Sequence, residues 1–372
     1  MDERSLRMAL MCVSEPGDPA MARLVCENGV EKVWEQLQRD GTSMWGRRAK
    51  DLDVAEVQRN TRRHGMGFLI PGDPEWPMQV DALGMCGEVS GFGGPPLGLW
   101  VRGEQRDLSA FDGRAVAVVG SRAASAYGQH VAGEIGADVA ERGWTVVSGG
   151  AFGIDAAAHR GALATGGNTV CVLACGLNLD YPRAHHDLLA KIAARGALVG
   201  ELAPDAYPTR SRFLGRNRLI AALSTGTVIV EAALRSGAKN TVNWAETIGR
   251  PVMAVPGPAT SATSATPHEL IRSRSAELVT SGLDVLELLA PVGQELLPLP
   301  EVEERPIDGL SRRQRGIFEH VPGGGDGATT AEITAASGFP RGLVAATLDE
   351  LVRAGFVLGE GGRWRLRPGS VG

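Results

Sequence analysis

The sequence predicts an α/β protein built on a Rossmann-like, doubly wound and mostly parallel sheet, with a small helical domain before it and a winged helix after it. Three observations predict this. From Ala115 onward, short valine-rich runs ("AVAVVG", "WTVVSGG", "TVCVLACG", "ALVGEL", "TVIVEA", "PVMAVPG") alternate with helix-length segments, which is the pattern of buried parallel strands in βαβ units. Most of these runs end at or beside a glycine, where a parallel strand must turn into a helix. Finally, the pattern changes on both sides of this region, and at 372 residues the chain is long enough for two or three domains.

Residues 1–65 carry helical spacing: in "MARLVCENGVEKVWEQLQRD", Leu24, Val25, Val30, Val33, Trp34 and Leu37 recur at three- and four-residue intervals. This reads as a helical head, of the SAM or helix-hairpin-helix kind. The sheet domain is expected over 66–290. Its lead-in, "IPGDPEWPMQVDALGMCGEVSGFGGPPLGLWVRG", is rich in proline and glycine but too apolar for a loose linker. Residues 291–308 read as a linker, because prolines and acids replace any period. Residues 309–372 carry three short helical patterns, then the strand pair "FVLGEGGRWRLRP", the outline of a winged helix.

Composition narrows the function. No apolar run approaches membrane-spanning length, and the N-terminus "MDERSLRMALMCV" has acids where a signal peptide needs a basic region, so a cytoplasmic location is expected. The five cysteines, Cys12, Cys26, Cys86, Cys171 and Cys175, form no CxxC pair and read as reduced, mostly buried thiols rather than a metal site. A net charge of -5 excludes an all-over basic coat but not a basic groove.

Such a groove has four candidate walls, all at strand ends, where parallel sheets bind ligands. Gly120, Ser121 and Arg122 follow the first strand. The bulk of Arg122 obstructs a dinucleotide's pyrophosphate, so no NAD or FAD cofactor is expected, whereas a turn, a hydroxyl and a fixed cation suit a phosphate. The second end, "SGGAFGIDAAAH", supplies Gly149, Gly150 and Gly153 for close backbone approach. Its Asp155 and His159 lie one helical turn apart and read better as a capping acid beside a packed histidine than as an acid-base pair.

The third wall is "YPTRSRFLGRNRLIAALS", with Arg210, Arg212, Arg216 and Arg218 within nine residues. Reading "RNRLIAAL" as the helix puts Arg216, Asn217 and Arg218 in its first turn, where cations oppose the macrodipole and call for an anion. Between Pro208 and Arg250, seven cations stand against Glu231 and Glu246. Phe213 among the arginines offers a ring face for a base beside charge for phosphates, the needs of a single nucleic-acid strand. The fourth wall, "VIVEAALRSGAKNTVNWAETIGR", brings Ser236, Gly237 and Lys239 to another helix start.

The order of these motifs resembles the DNA-processing protein A family (DprA, also called Smf). The pieces are "VAVVGSR", "SGGAFGIDAAAH", "ACGLNLDYPRAH", "GELAPDAYPTRSRFLGRNRLIAALS", "VIVEAALRSGAKNT" and "GRPVMAVPG", preceded by "PGDPEWPMQV" and "PLGLWVRG". The resemblance spans about residues 65–290. It implies a non-enzymatic protein that binds and protects single-stranded DNA, helps load the RecA recombinase in natural transformation, and forms a homodimer through its α/β domain. By matching position, Gly120, Ser121 and Arg122 would hold phosphate, Arg216, Asn217 and Arg218 would line the DNA pocket, Lys239 would face it, and Phe213 falls where the family places its aromatic. The chain departs from the family at Leu214 (usually proline), at Ala238 (the last serine of Ser-Gly-Ser), and at Thr266, Pro267 and His268, where a glycine is usual.

Two other readings compete. Similar sheets serve nucleotide phosphoribohydrolases of the lysine-decarboxylase-like group, but "SGAKNTVNWAE" lacks their Gly-Gly-x-Gly-Thr turn and places Glu246 far downstream, away from any general acid-base role. A transcription regulator built on the winged helix would want a stronger basic footprint than the eight arginines against six acids between Ser311 and Arg367.

Overall fold

The computed structural model describes residues 1–290 and 306–368. Of the expected linker at 291–308, residues 291–305 lie outside the described residues. The chain divides into two compact units, one running from Met1 through the sheet and one at the C-terminal end.

Nine strands form the first unit's sheet: β1 (Gly67–Leu69), β2 (Leu99–Gly103), β3 (Ala115–Val119), β4 (Thr145–Ser148), β5 (Thr169–Val172), β6 (Ala197–Gly200), β7 (Gly226–Ile229), β8 (Val252–Ala254) and β9 (Glu277–Leu278). Their spatial order is β1-β2-β6-β5-β4-β3-β7-β8-β9. From β6 to β9 every pairing is parallel, while β1 and β2 join antiparallel on the β6 side. The six valine-rich runs are β3 to β8. The lead-in holds a strand that its prolines concealed, "LWVRG", which is β2.

Strand residues alternate between two cores, as the two-residue period requires. Ala115, Ala117 and Val119 face one core with Leu219, Ile220 and Trp244, from the helices Arg210–Ala222 and Ala238–Thr247. Val116 and Val118 face the other with Ile135 and Ala158, from the helices Ala126–Glu141 and Ile154–Ala164. The strand order reverses between β3 and β7, and the helices that follow these two strands leave on opposite faces. A crevice opens there at the carboxyl ends, the usual ligand site of such sheets.

The helical head packs on this sheet within the same unit. Gly29, at φ 78°, splits the predicted periodic stretch into the helices Pro19–Asn28 and Val30–Arg39. The first helix, Glu3–Val13, buries Leu10 and Val13 in the head's core and turns Met8 and Met11 toward Phe68, Trp100 and Leu173. The last described residues form the helices Arg312–Phe318, Thr330–Ser337 and Arg341–Arg353 around Ile317, Ile333 and Leu348. With them goes a small antiparallel sheet of β10 (Ala328–Thr329), β11 (Val357–Glu360) and β12 (Arg363–Leu366), partly consistent with the expected wing. Among the described residues, no helix is long and apolar enough to cross a membrane.

One helix differs from its sequence reading. It starts at Arg210 rather than near Arg216, because the hydroxyl of Thr209 accepts the Arg212 amide at 3.3 Å and caps it. Arg216 and Arg218 therefore sit in its interior, not in its first turn. At the other end, the half-buried Arg250 donates to the carbonyls of Ala221 (3.0 Å), Ala222 (2.5 Å) and Ser224, and to Gln79 O at 2.8 Å. A cation there satisfies orphaned carbonyls and complements the dipole, although burial lowers its guanidinium to about 10. Arg250 is thus a structural residue within the basic segment. Arg250→Ala should lower unfolding free energy by about 2–3 kcal/mol, the scale of lost charged hydrogen bonds, in urea denaturation followed by circular dichroism.

Candidate nucleic-acid interface

Arg216, Asn217 and Arg218 are consecutive residues of a buried helix, so their side chains leave it about 100° apart. Each goes to a different place. Arg216, 6 % exposed, runs to the ends of β4 and β5, where its Nη1 donates to Gly149 O at 2.7 Å and to Val172 O. A side chain at Gly149 would collide with that guanidinium, which explains the glycine. Asn217 turns to the neighbouring helix start, donating to Asn240 Oδ1 at 3.2 Å and Gly237 O at 3.4 Å. Arg218, 200° from Arg216, is fully buried and donates to Glu201 Oε1 at 2.5 Å beside Gly17 of the helical head.

Arg218 therefore corrects the sequence reading: it does not line the groove but pairs with Glu201 just past β6, packed beside Gly17 of the head. Arg212 is spent in the same way, with its Nε on Glu15 Oε2 at 2.8 Å and its Nη2 on Oε1 at 3.1 Å. Gly150 also falls outside the groove lining; at φ 67° it turns beneath the Cys171 sulfur and accepts a hydrogen bond at its carbonyl from His185 Nδ1, 2.9 Å away.

What remains at the switch point is a groove of about 1060 Å³. Gly120, Ser121 and Arg122 form one wall, Ser236, Gly237 and Lys239 the other, and Phe213, Arg216 and Asn217 lie between them. Arg210 and Arg235 add to the rim, so five cations line the groove against one acid, Asp155, among the described residues. Glu231, at the end of β7, holds the walls together. Its backbone carbonyl accepts the Ser121 amide at 2.6 Å, and its carboxylate accepts Ser125 N at 2.8 Å, Ser125 Oγ at 2.6 Å and Thr263 Oγ1 at 3.1 Å.

The cations differ in freedom. Arg122 is exposed, with its guanidinium carbon 4.9 Å from the centroid of the Phe213 ring, a cation–π distance. Lys239 makes a 3.1 Å ion pair with Glu269 at a partly exposed site, a contact easily exchanged for a phosphate. Burial lowers Arg216 from its ordinary value, opposed chiefly by Asp155. Burial likewise raises Asp155, and Arg216 opposes that shift. Phe213 is half-buried on the groove wall, not sealed in the core.

His159 is a packed residue, fully buried with Nδ1 2.7 Å from Thr169 Oγ1, and burial lowers it to about 3. Thr266 and Pro267 are buried outside the groove lining, and the Thr266 amide donates to Ala232 O at 3.0 Å, bracing the loop that carries Arg235. Sequence reasoning missed Tyr181, Asn240 and Ser90 as lining residues. Tyr181 was detectable, since it follows the end of β5; Ser90 was not, because it arrives from the irregular lead-in.

A parallel sheet with a cationic, aromatic-bearing crevice at its switch point defines a Rossmann-like protein built for an extended anion. The model of the DNA recombination-mediator protein A family matches residues 67–290. The chain is 45% identical over 371 residues to a Mycobacterium tuberculosis H37Rv relative assigned to DNA processing protein DprA, covering 97% of this chain and 93% of that one. Protein Smf of Escherichia coli K12 is 39% identical over 305 residues, 80% of this chain and 77% of its own. Among solved structures, DNA processing protein A of Streptococcus pneumoniae superposes with a TM-score of 0.65 at 29% identity, covering 78% of this chain and 98% of that chain. The Helicobacter pylori DNA processing protein A, studied for its single-stranded DNA binding mode, gives 0.52 at 26%, covering 60% and 95%. The chain belongs to the DNA recombination-mediator protein A family.

Arg218→Ala should cost about 3–5 kcal/mol of stability, because Glu201 is left as a buried unpaired charge. Arg122→Ala and Lys239→Ala should stay within about 0.5 kcal/mol of the parent, as accessible charges do. Chemical denaturation of the three variants separates the framework arginine from the groove cations.

Proposed function

We propose that the chain binds single-stranded DNA in the switch-point groove, as a binding protein rather than an enzyme. The convergence of Arg122, Arg210, Arg216, Arg235 and Lys239 from separate segments onto one groove, with Phe213 among them, carries this reading. Cations gathered on one groove track a phosphate backbone, and a ring accepts any base, so binding is without sequence preference. Family membership and the strand-binding H. pylori relative support it.

Within this reading the chain protects incoming DNA in the cytoplasm and helps load the RecA recombinase during natural transformation, working as a homodimer joined through the α/β domain. These roles rest on the family. Hydrolysis of a nucleotide is disfavoured by the position of Glu246, which is exposed near the far end of the helix Ala238–Thr247 and outside the groove.

Log affinity for an oligo-dT strand should fall linearly with log salt, because each phosphate contact releases counterions. In fluorescence anisotropy, Arg122→Ala and Lys239→Ala should each weaken binding by about 1–3 kcal/mol and reduce the salt slope by about one contact. A flat salt response, or equal preference for duplex DNA, contradicts the proposal.

A further inference from the structure

Phe213 is not the ring that a base would meet first. Three side chains already contact it: the guanidinium of Arg122 at 4.9 Å, that of Arg216 at 6.0 Å, and the ring of Tyr181, whose centroid lies 5.7 Å away at an interplanar angle of 41°. Tyr181 is 41% exposed and lines the groove, whereas Phe213 is half-buried. A large aromatic side chain costs free energy when left in water, and the geometry here gives Tyr181 no stability role that would require that exposure. The loop that presents it is fixed from beneath, since His185, four residues on, is buried and bonds Gly150 O at 2.9 Å. The ring therefore stands on a firm base, backed on one side by Phe213 and flanked by the cations that would hold the phosphates.

We infer that Tyr181 is a base-stacking platform of the groove, with Phe213 supporting it and Arg122 supplying the adjoining phosphate contact. This rests on the strand-binding reading above. A base stacked on the open face of Tyr181 extends the tilted pair that this ring makes with Phe213. The contact is made by the ring and not by the hydroxyl, so it tolerates any base and does not change with salt.

The test compares the full-length protein with Tyr181→Ala, Tyr181→Leu and Tyr181→Phe on two fluorescein-labelled probes: an oligo-dT strand and an abasic deoxyribose-phosphate strand of equal length. On oligo-dT, the alanine and leucine variants should bind roughly 5- to 150-fold more weakly than the parent, with an unchanged salt slope, and the phenylalanine variant should bind like the parent. On the abasic strand, all four proteins should bind alike. Tyr181→Leu keeps apolar volume, so it serves if the alanine variant fails to fold. Parent-like binding of oligo-dT by Tyr181→Leu, or an equal loss on the abasic strand, overturns the inference while leaving the strand-binding reading intact. Failure of the parent itself to bind oligo-dT overturns both.

Discussion

The groove depends on the buried carboxylate of Glu231. It stands just past β7, where the strand order reverses and the helices after β3 and β7 leave on opposite faces. A charge so buried must be satisfied, and the Ser125 amide, the Ser125 hydroxyl and the Thr263 hydroxyl do so. Those bonds draw in the loop of Gly120 to Ala124 from one side and the Thr263 segment from the other. Gly128 makes room for them, since any side chain there would strike the carboxylate. An acid that merely dilutes the basic cluster in a charge count is, in the fold, the anchor that shapes the crevice.

With the walls held this way, the division of labour among the cations follows from burial and partners. Arg212, Arg218 and Arg250 have their charges matched by a carboxylate or by helix carbonyls and serve the framework. Arg122 and Lys239 are accessible, one resting on a ring and the other in a weak ion pair. Arg216 lies between the two classes. It is buried, yet its Nε has no hydrogen-bond partner and its charge reaches the groove floor. Replacing it would mix loss of packing with loss of binding, so it is a poor reporter of either.

Much of this was legible in the sequence. Valine-rich runs closed by glycine are a strong signal because a parallel strand is buried on both faces, and β3 to β8 were all read from it. The short edge strands β1 and β9 carry too few residues for any period, and β2 was hidden among prolines. At the site, the strand-end rule pointed to Gly120, Ser121, Arg122, Ser236, Gly237 and Lys239, which the fold brings to one groove. It failed at Arg218, since charge density along the chain does not reveal direction. Residues two positions apart on any helix point about 200° apart, so of Arg216 and Arg218 at most one could face the groove. The pairing of Arg218 with Glu201 joins segments whose contact only the tertiary fold decides.

The central claim is that an anionic strand occupies the switch-point groove of the sheet unit. Hydrogen exchange of the backbone amides, followed by mass spectrometry with and without saturating oligo-dT, addresses it directly. The strand should slow exchange in peptides covering 120–124, 207–217 and 233–240 and leave the strand-pair peptides at 357–366 unchanged. Protection confined to the C-terminal unit, with the three groove segments unaffected, would contradict it.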